Sequence, residues 1–343
     1  MTPGGHARLG AALLVATAGA LSRGAPSAAA SPARAPPRAT ALSDEGCVAC
    51  HADAARTWRG SLHHASASNA AYETAVYAEP LAFCRRCHAP HGDPSRETSE
   101  AAREAGITCT ICHLRPGDAR TVLSSPREGP VSAPHGVERS AALGQAVCAR
   151  CHEFDFPDAR GERMQKTATE HRESAYASRS CASCHMPEAN GHRSHAFAAS
   201  RDATLLARAV SVRADLDGDR VRFVLEPVGV GHAFPTGDLF RRLTLTVVTE
   251  DAEGRPLATR RRYFGRVFGP VRSGREIVRR EIADERLSSR TEVTFPLATR
   301  AASTTVRWRL DYERVAFSPT RHPEQAVIEG SVTLARGELR TTR

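Results

Sequence analysis

The residues with the clearest chemical potential are ten cysteines, and every one belongs to a Cys-x-x-Cys-His unit. Two thiols at this spacing can add to the two vinyl groups of one haem, and the adjacent histidine can bind its iron. Zinc sites and redox disulfides also use Cys-x-x-Cys pairs, but neither needs a histidine directly afterwards. The units are Cys47-Val-Ala-Cys50-His51, Cys84-Arg-Arg-Cys87-His88, Cys109-Thr-Ile-Cys112-His113, Cys148-Ala-Arg-Cys151-His152 and Cys181-Ala-Ser-Cys184-His185. The sequence therefore predicts five covalently bound haems c, with these ten cysteines as attachment points and these five histidines as proximal iron ligands.

Each such iron has a sixth position, which a second histidine fills in most electron-carrying multihaem proteins and which a methionine would fill at higher potential. The chain has three methionines, of which Met1 belongs to the expected signal peptide and Met186 adjoins a proximal histidine, so only Met164 is a conceivable ligand. Bis-histidine coordination is therefore the expectation. Outside the motifs and the expected signal peptide, the candidate ligands are His63, His64, His91, His135, His171, His192, His195, His232 and His322.

Several short patterns resemble the multihaem cytochromes typified by the tetrahaem electron acceptor of hydroxylamine oxidoreductase. The first motif is followed by Trp58-x-x-Ser61-x-His63, which is similar to the opening pattern of that family. Related multihaem proteins with a β domain carry patterns similar to Cys84–Pro90, Ala133-Pro134-His135, Cys181–Pro187, Ser194–Phe197 and Gly231–Gly237. The chain departs from the tetrahaem type in its fifth motif and its long β region, so the redox partner of that family does not carry over.

The resemblance implies four distal iron ligands: His63 (with His64 as a nearby alternative), His135, His195 and His232. His232 also lies between two expected strands, in a loop rich in glycine and proline that could cap a haem. The fifth distal ligand stays open among His64, His91, His171 and His192, or none. No catalytic residue is predicted.

The N-terminal residues indicate export. Arg8 precedes a small apolar run over 9–21, and Ala28-Ala29-Ala30 fits a signal-peptide cleavage site. Residues 1–30 are therefore predicted to be a signal peptide and 31–42 a flexible leader rich in Ala, Pro and Ser. The run is short for a membrane span, and no later segment is apolar enough for one. We expect a periplasmic, secreted or cell-surface protein without a transmembrane anchor after cleavage.

The mature chain divides by composition into two expected domains. Residues 43–202 hold every motif and show short helical stretches, such as 69–77 and 97–104, broken by Pro and Gly. Residues 203–343 show alternating strand patterns over 209–216, 221–228, 243–249, 255–264, 291–297, 304–312 and 326–334. The predicted fold class is therefore α+β: a mostly helical or irregular pentahaem domain followed by an antiparallel, immunoglobulin-like β-sandwich.

The formal charge of +9 does not indicate a nucleic-acid partner. The basic residues are almost all arginines spread along the chain, with Lys166 as the one lysine, and haem propionates offset much of the excess. We therefore expect redox proteins as partners and no nucleic acid, and a homo-oligomer is compatible with the sequence.

Two functional classes fit five closely spaced haems. The favoured hypothesis is a pentahaem cytochrome that transfers electrons between redox partners. The alternative is a multihaem oxidoreductase that converts a small nitrogen or sulfur compound, such as nitrite, hydroxylamine or tetrathionate, at a haem with an open position. A conducting filament built from cytochrome subunits is a further alternative.

Overall fold

The computed structural model describes residues 43–78, 80–125, 132–156, 159–189, 191–237, 239–297, 303–317 and 319–342. All of these belong to one compact unit. The expected signal peptide (1–30) and leader (31–42) lie outside the described residues. No helix in these ranges is long and apolar enough to cross a membrane.

Short helices dominate the first half of the described chain. They are α1 (Asp44–Cys50), α2 (Ala52–Arg59), α3 (Ala70–Ala78), α4 (Ala82–His88), α5 (Glu100–Ala105), α6 (Cys109–His113), α7 (Gln145–His152), α8 (Thr167–Arg172), α9 (Cys181–His185) and α10 (Ala203–Arg208). Both cysteines of every motif lie in a helix, namely α1, α4, α6, α7 or α9. Residues three apart share one face of a helix, so each pair of thiols points to the same side.

Side-chain caps begin two of these attachment helices. The Ser43 hydroxyl accepts a hydrogen bond from the Gly46 backbone N–H at 3.3 Å before α1, and Ser180 does the same for Ser183 at 3.2 Å before α9. Such caps satisfy backbone donors that the first helical turn leaves free, and each contributes about 1 kcal/mol. Helices of five to eight residues would be marginal without such local support.

Gly106 allows a close backbone approach that positions the segment around His63. Its φ is +59° and its ψ is −137°, in a region that residues with a Cβ avoid. A Cβ at this position would lie 2.1 Å from the His64 carbonyl oxygen. The next residue, Ile107, donates its N–H to the His63 carbonyl at 2.9 Å, and its own carbonyl accepts from the Trp58 indole at 2.8 Å. A larger residue at 106 would therefore displace the His63 segment.

The same half of the chain contains three small two-stranded sheets. β1 (Thr121–Ser124) pairs in parallel with β2 (Gly136–Arg139). β3 (Glu153–Phe156) and β4 (Ala159–Lys166) are antiparallel, as are β5 (Glu188–Ala189) and β6 (His192–Arg193). The strands β1 to β4 lie between attachment helices, and β5 and β6 follow the last of these helices. None of the three pairs was predicted from the sequence.

The second half forms two antiparallel sheets. The strands are β7 (Val210–Asp217), β8 (Arg220–Pro227), β9 (Arg241–Glu250), β10 (Pro256–Ser273), β11 (Glu276–Asp284), β12 (Thr291–Pro296), β13 (Ser303–Phe317) and β14 (Val327–Thr342). One sheet has the order β12-β8-β7, and the other has the order β11-β10-β9-β13-β14. Helices together with antiparallel sheets give an α+β protein.

A common core joins the two sheets. Phe223 and Leu225 from β8 pack with Leu245 from β9, Phe264 from β10 and Leu310 from β13, and all five are buried. Alternate residues of a strand point to opposite faces, so Phe223 and Leu225 share the face of β8 that packs on this core. Each such side chain contributes roughly 2–3 kcal/mol through burial of apolar surface.

Candidate metal centres

Four of the motif histidines face a second imidazole across a gap of nearly constant width. The ring centroids lie 6.2–6.4 Å apart in all four pairs. The pairs are His51–His135 (6.4 Å), His63–His152 (6.3 Å), His113–His195 (6.2 Å) and His185–His232 (6.2 Å). Each of the four histidines expected as distal ligands thus stands opposite one motif histidine.

This spacing is the one that a metal ion between two imidazoles requires. Two metal–nitrogen bonds of about 2 Å, with the ring radii added, put the centres of two opposed imidazoles about 6 Å apart. Two rings stacked face to face in direct contact lie closer, as Tyr72 and His88 do at 4.2 Å. The four gaps therefore fit an iron held between the rings, as in a bis-histidine haem.

Backbone carbonyls orient several of these rings through Nδ1. The distance from Nδ1 to the carbonyl oxygen is 3.0 Å for His113 and Leu123, 2.7 Å for His185 and Ala198, and 3.0 Å for His195 and Arg193. Because a carbonyl oxygen can only accept, Nδ1 must carry the hydrogen in these contacts. Nε2 then keeps its lone pair for a metal, and the hydrogen bond from Nδ1 to the carbonyl fixes the orientation of the ring.

Burial keeps these imidazoles in the neutral form that binds metals. It lowers the pKa of His63 to about 4 and the pKa of His232 to about 4. Burial likewise lowers the pKa of His113 and of His195. Neutral imidazoles at physiological pH do not have to lose a proton before they coordinate a metal.

The remaining motif histidine, His88 of the second motif, has a different environment. Its Nδ1 lies 2.8 Å from the Ser66 carbonyl oxygen, and the Ser66 hydroxyl donates to the His88 carbonyl at 2.6 Å. The Tyr72 ring from α3 stacks on its imidazole with an interplanar angle of 14°. The Nδ1 contact orients Nε2 as in the other centres, so His88 has the arrangement of a proximal ligand.

Of the four histidines left open as the fifth distal ligand, three contact other side chains and one is exposed. The His64 ring packs edge-on against Trp58, with centroids 4.4 Å apart. His91 places Nε2 2.7 Å from the Thr108 hydroxyl, and His171 places Nδ1 3.3 Å from the Gln145 amide. His192 is exposed in β6.

The cysteines show which centres are neighbours. The side chains of Cys47 and Cys109 interact, which brings the first and third motifs together. Two further contacts, Cys148 with Cys181 and Cys87 with Cys151, join the fourth motif to the fifth and to the second.

Hydrogen bonds between the attachment helices support the same order. Asp44 accepts from the Thr110 backbone N–H at 2.9 Å and so links the first and third motifs. Arg150 of the fourth motif donates to the Ile111 carbonyl of the third at 3.3 Å. Gln145, in the same helix as the fourth motif, donates to the Arg179 carbonyl before the fifth at 3.1 Å. The spatial series is therefore one–three–four–five, with the second motif beside the fourth.

The loop that carries His232 is attached on both sides. Phe234 exchanges two backbone hydrogen bonds with Leu287, each of 2.9 Å, and is itself buried in the sandwich core. On the other side, the Glu170 carboxylate in α8 accepts from the Ala233 N–H at 3.2 Å and from the Thr236 hydroxyl at 3.0 Å. The loop is thus more constrained than its glycine and proline content suggests.

A buried ion pair reinforces this junction. Arg286, whose side chain is 3% exposed, donates to Glu170 and forms a 2.7 Å ion pair with Asp284. Lys166, which precedes α8, lies 2.9 Å from Asp284. These contacts connect α8 to the sandwich beside His232.

A bare metal ion fits the cysteines poorly. Within the described ranges, no group of three or more His, Cys, Asp or Glu side chains is arranged to hold one. The ten cysteines, all within the described ranges, form no disulfide in this structure. Cysteine pairs next to facing imidazoles suit covalent haem better than a zinc or disulfide site.

The described chain has the fold of a solved multihaem protein. That structure is a penta-heme cytochrome c552 from Thermochromatium tepidum, with a TM-score of 0.67 and 22% sequence identity over 88% of this chain and 99% of that chain. No protein-family model matches the sequence, and no curated protein matches it. At this identity the similarity establishes the shared fold.

The sequence named the four facing histidines as candidate ligands, and their role at a metal stays a prediction. It did not identify the residues that contact them. Glu170 and Tyr72 carry no motif of their own, although Tyr72 does lie in the predicted helix over 69–77. Phe197 follows His195 by two residues, and the sequence assigns it no role beyond its place in the Ser194–Phe197 pattern. Their roles depend on contacts between distant segments, which spacing alone does not reveal.

Proposed function

We propose that this chain is an exported c-type cytochrome that carries five haems c and transfers electrons between redox partner proteins. The observation that carries the proposal is the set of four imidazole pairs at 6.2–6.4 Å, each built on a Cys-x-x-Cys-His histidine. The fold shared with a penta-heme cytochrome supports the same cofactor class. His88 would serve as proximal ligand of the remaining haem.

Haem c supplies one-electron redox chemistry when bound. The chain's own residues would hold the five haems through ten thioether bonds and orient the imidazoles through Nδ1 contacts such as that of His185 with Ala198. Two histidine ligands favour a low-spin iron of low potential. The helix contacts set the centres in the order one–three–four–five, with the second beside the fourth. Such close succession suits electron carriage and needs no substrate pocket.

Mass spectrometry and spectroscopy together test this proposal. Intact mass under denaturing conditions should show five covalent haem increments and no free thiol. Low-spin ferric spectra should account for the centres of His51, His113, His152 and His185. Four or fewer increments in fully matured protein would contradict the count, and high-spin iron at two or more of these four centres would contradict the ligands.

The same sample separates electron carriage from the oxidoreductase alternative. A carrier should exchange electrons with redox mediators and turn over neither nitrite, hydroxylamine nor tetrathionate when reduced. Substrate-dependent reoxidation, together with rapid cyanide binding at one haem, would favour the enzyme. The centre of His88 is the first to examine, because its surroundings differ from the other four.

Export and domain structure complete the proposal. Cleavage near Ala30 would leave a protein in the periplasm or at the cell surface, where haem is attached. N-terminal sequencing of haem-loaded protein should begin near Ser31, and retention of Met1 would contradict this. Residues 43–202 would form the haem domain and 203–343 an immunoglobulin-like sandwich. The sheet orders β7-β8-β12 and β14-β13-β9-β10-β11 correspond to A-B-E and G-F-C-C′-C″ of that fold.

A further inference from the structure

Phe197 touches the distal imidazoles of two different centres. Its ring packs edge-to-face on His63, with centroids 4.2 Å apart and an interplanar angle of 81°. It also meets the His195 ring at 5.8 Å and 88°. His63 faces His152 of the fourth motif, and His195 faces His113 of the third. One aromatic side chain thus lies between two adjacent centres.

The backbone at this position is unusual for so large a side chain. Phe197 has a φ of +51° and, within the described ranges, is the one residue other than glycine with a positive φ. The left-handed conformation costs a residue with a Cβ about 1 kcal/mol or more. Glycine would adopt it without this cost, so the ring is what a phenylalanine contributes here.

The short segment around Phe197 serves three centres at once. His195 faces His113, Phe197 packs on His63, and the Ala198 carbonyl oxygen lies 2.7 Å from Nδ1 of His185. The His195 backbone N–H also donates to the Thr57 hydroxyl at 3.0 Å, which ties the segment to α2. The left-handed turn allows these side chains and this carbonyl to point to different centres.

We propose that Phe197 is a positioning residue that sets the imidazole orientation at the His63–His152 and His113–His195 centres together and thereby links their redox properties. Edge-to-face contacts resist rotation of an imidazole about its bond to a metal. The angle between the two imidazole planes, 66° in the first pair and 32° in the second, affects the electronic structure of a low-spin iron. This inference rests on the proposed haem ligation.

The test uses the holoprotein and electron paramagnetic resonance of the oxidised haems. Three variants are compared: Phe197→Leu, Phe197→Gly and Phe197→Tyr. Loss of the ring in the first two should shift the g values of two low-spin signals together, and the midpoint potentials of the same two haems. Phe197→Tyr keeps the ring and should retain both signals. Phe197→Gly also removes the backbone strain, so it separates a role of the ring from a role of stability.

Phe268→Leu is the matched control. The Phe268 ring makes a similar edge-to-face contact with Phe156, at 5.3 Å and 71°, but touches no imidazole. It should leave all haem signals unchanged. A change at only one centre or at none in Phe197→Leu and Phe197→Gly, or an equal change in Phe268→Leu, would overturn the proposal. Haem increments are counted first on each sample, so a failure of the proposed haem content is recognised separately.

Discussion

The first half of the described chain and the sandwich differ in the side chains that they bury. Within the described part of 43–202, the buried apolar side chains are few and mostly small: Ala55, Ala67, Ala89, Ala102 and Leu123. The sandwich buries large residues throughout, such as Phe223, Leu245 and Phe264. Small alanines leave little apolar surface to exclude from water, so under the proposed function the haems would supply the bulk that the first region packs against. The sandwich has a core of its own large apolar side chains and should fold without a cofactor.

The largest expected effect follows from this difference. A chain produced without haem attachment should lose the helical structure of residues 43–202 and keep the sandwich. Limited proteolysis should then cut within the first region and leave a resistant fragment that begins near residue 203. Circular dichroism should show β structure with little helix. If both regions resisted the protease equally without haem, the expected dependence of the first region on haem would be contradicted.

The second-largest effect is expected from a substitution that leaves a cavity in the sandwich core. Leu245 is fully buried in β9, so Leu245→Ala should lower the free energy of unfolding of the sandwich by about 2–5 kcal/mol. Trp308, which packs on Phe223 at 5.6 Å, reports this transition through its fluorescence. The haem count should stay at five. Exposed Leu257→Ala is the control and should change the midpoint little.

His232→Ala tests the point where the two regions meet. Loss of the imidazole that faces His185 should open a coordination position. One low-spin haem should therefore become high-spin and bind cyanide or nitric oxide. His322→Ala removes an exposed histidine and should leave the spectrum unchanged. An all-low-spin, ligand-inert spectrum in His232→Ala would show that the sandwich serves docking or anchoring instead.

Glu170→Gln should give a smaller effect at the same centre. Gln can still accept hydrogen bonds from the His232 loop, but it leaves the buried Arg286 without one of its two carboxylate partners. The loop should open more often, measured as several-fold faster cyanide binding to the His185 haem. Exposed Glu188→Gln is the control. Unchanged cyanide kinetics would mean that Phe234 and Leu287 alone hold the loop.

Low pH should weaken the contacts between α8 and the sandwich, because Asp284 takes up a proton and loses its charge. Burial raises the pKa of this carboxyl, but Arg286 and Lys166 outweigh burial and hold the pKa well below its usual range. Its contribution to stability is therefore complete above about pH 4 and is lost as pH falls toward the folded-state pKa. Asp284→Asn should be less stable than the parent at pH 7, and the difference in denaturation midpoint should shrink below pH 4. Asp217→Asn, at the exposed end of β7, should show no such trend.

Sequence patterns identified local features better than long-range ones. The α+β class and most sandwich strands follow from periodicity, and the helices over 69–77 and 97–104 correspond to α3 and α5. β11 was missed because charged residues interrupt its alternation, as in Glu276 and Arg280. β10 and β14 extend beyond their predicted ends, since pairing with neighbouring strands prolongs them. Which imidazole faces which motif was beyond the sequence, because those pairs join distant segments.

The pairing pattern also bears on how the protein is made. Each facing pair joins residues tens of positions apart, and the segments between His51 and His135, His63 and His152, and His113 and His195 overlap along the chain. If the chain is exported from its N-terminus, the first, third and fifth motifs emerge well before the histidines that face them, whereas His63 emerges before the fourth motif. Assembly therefore has high contact order, and chain closure over such lengths is slow. A haem attached early to one of those three motifs would stay exposed on its distal side until a later stretch of polypeptide covers it.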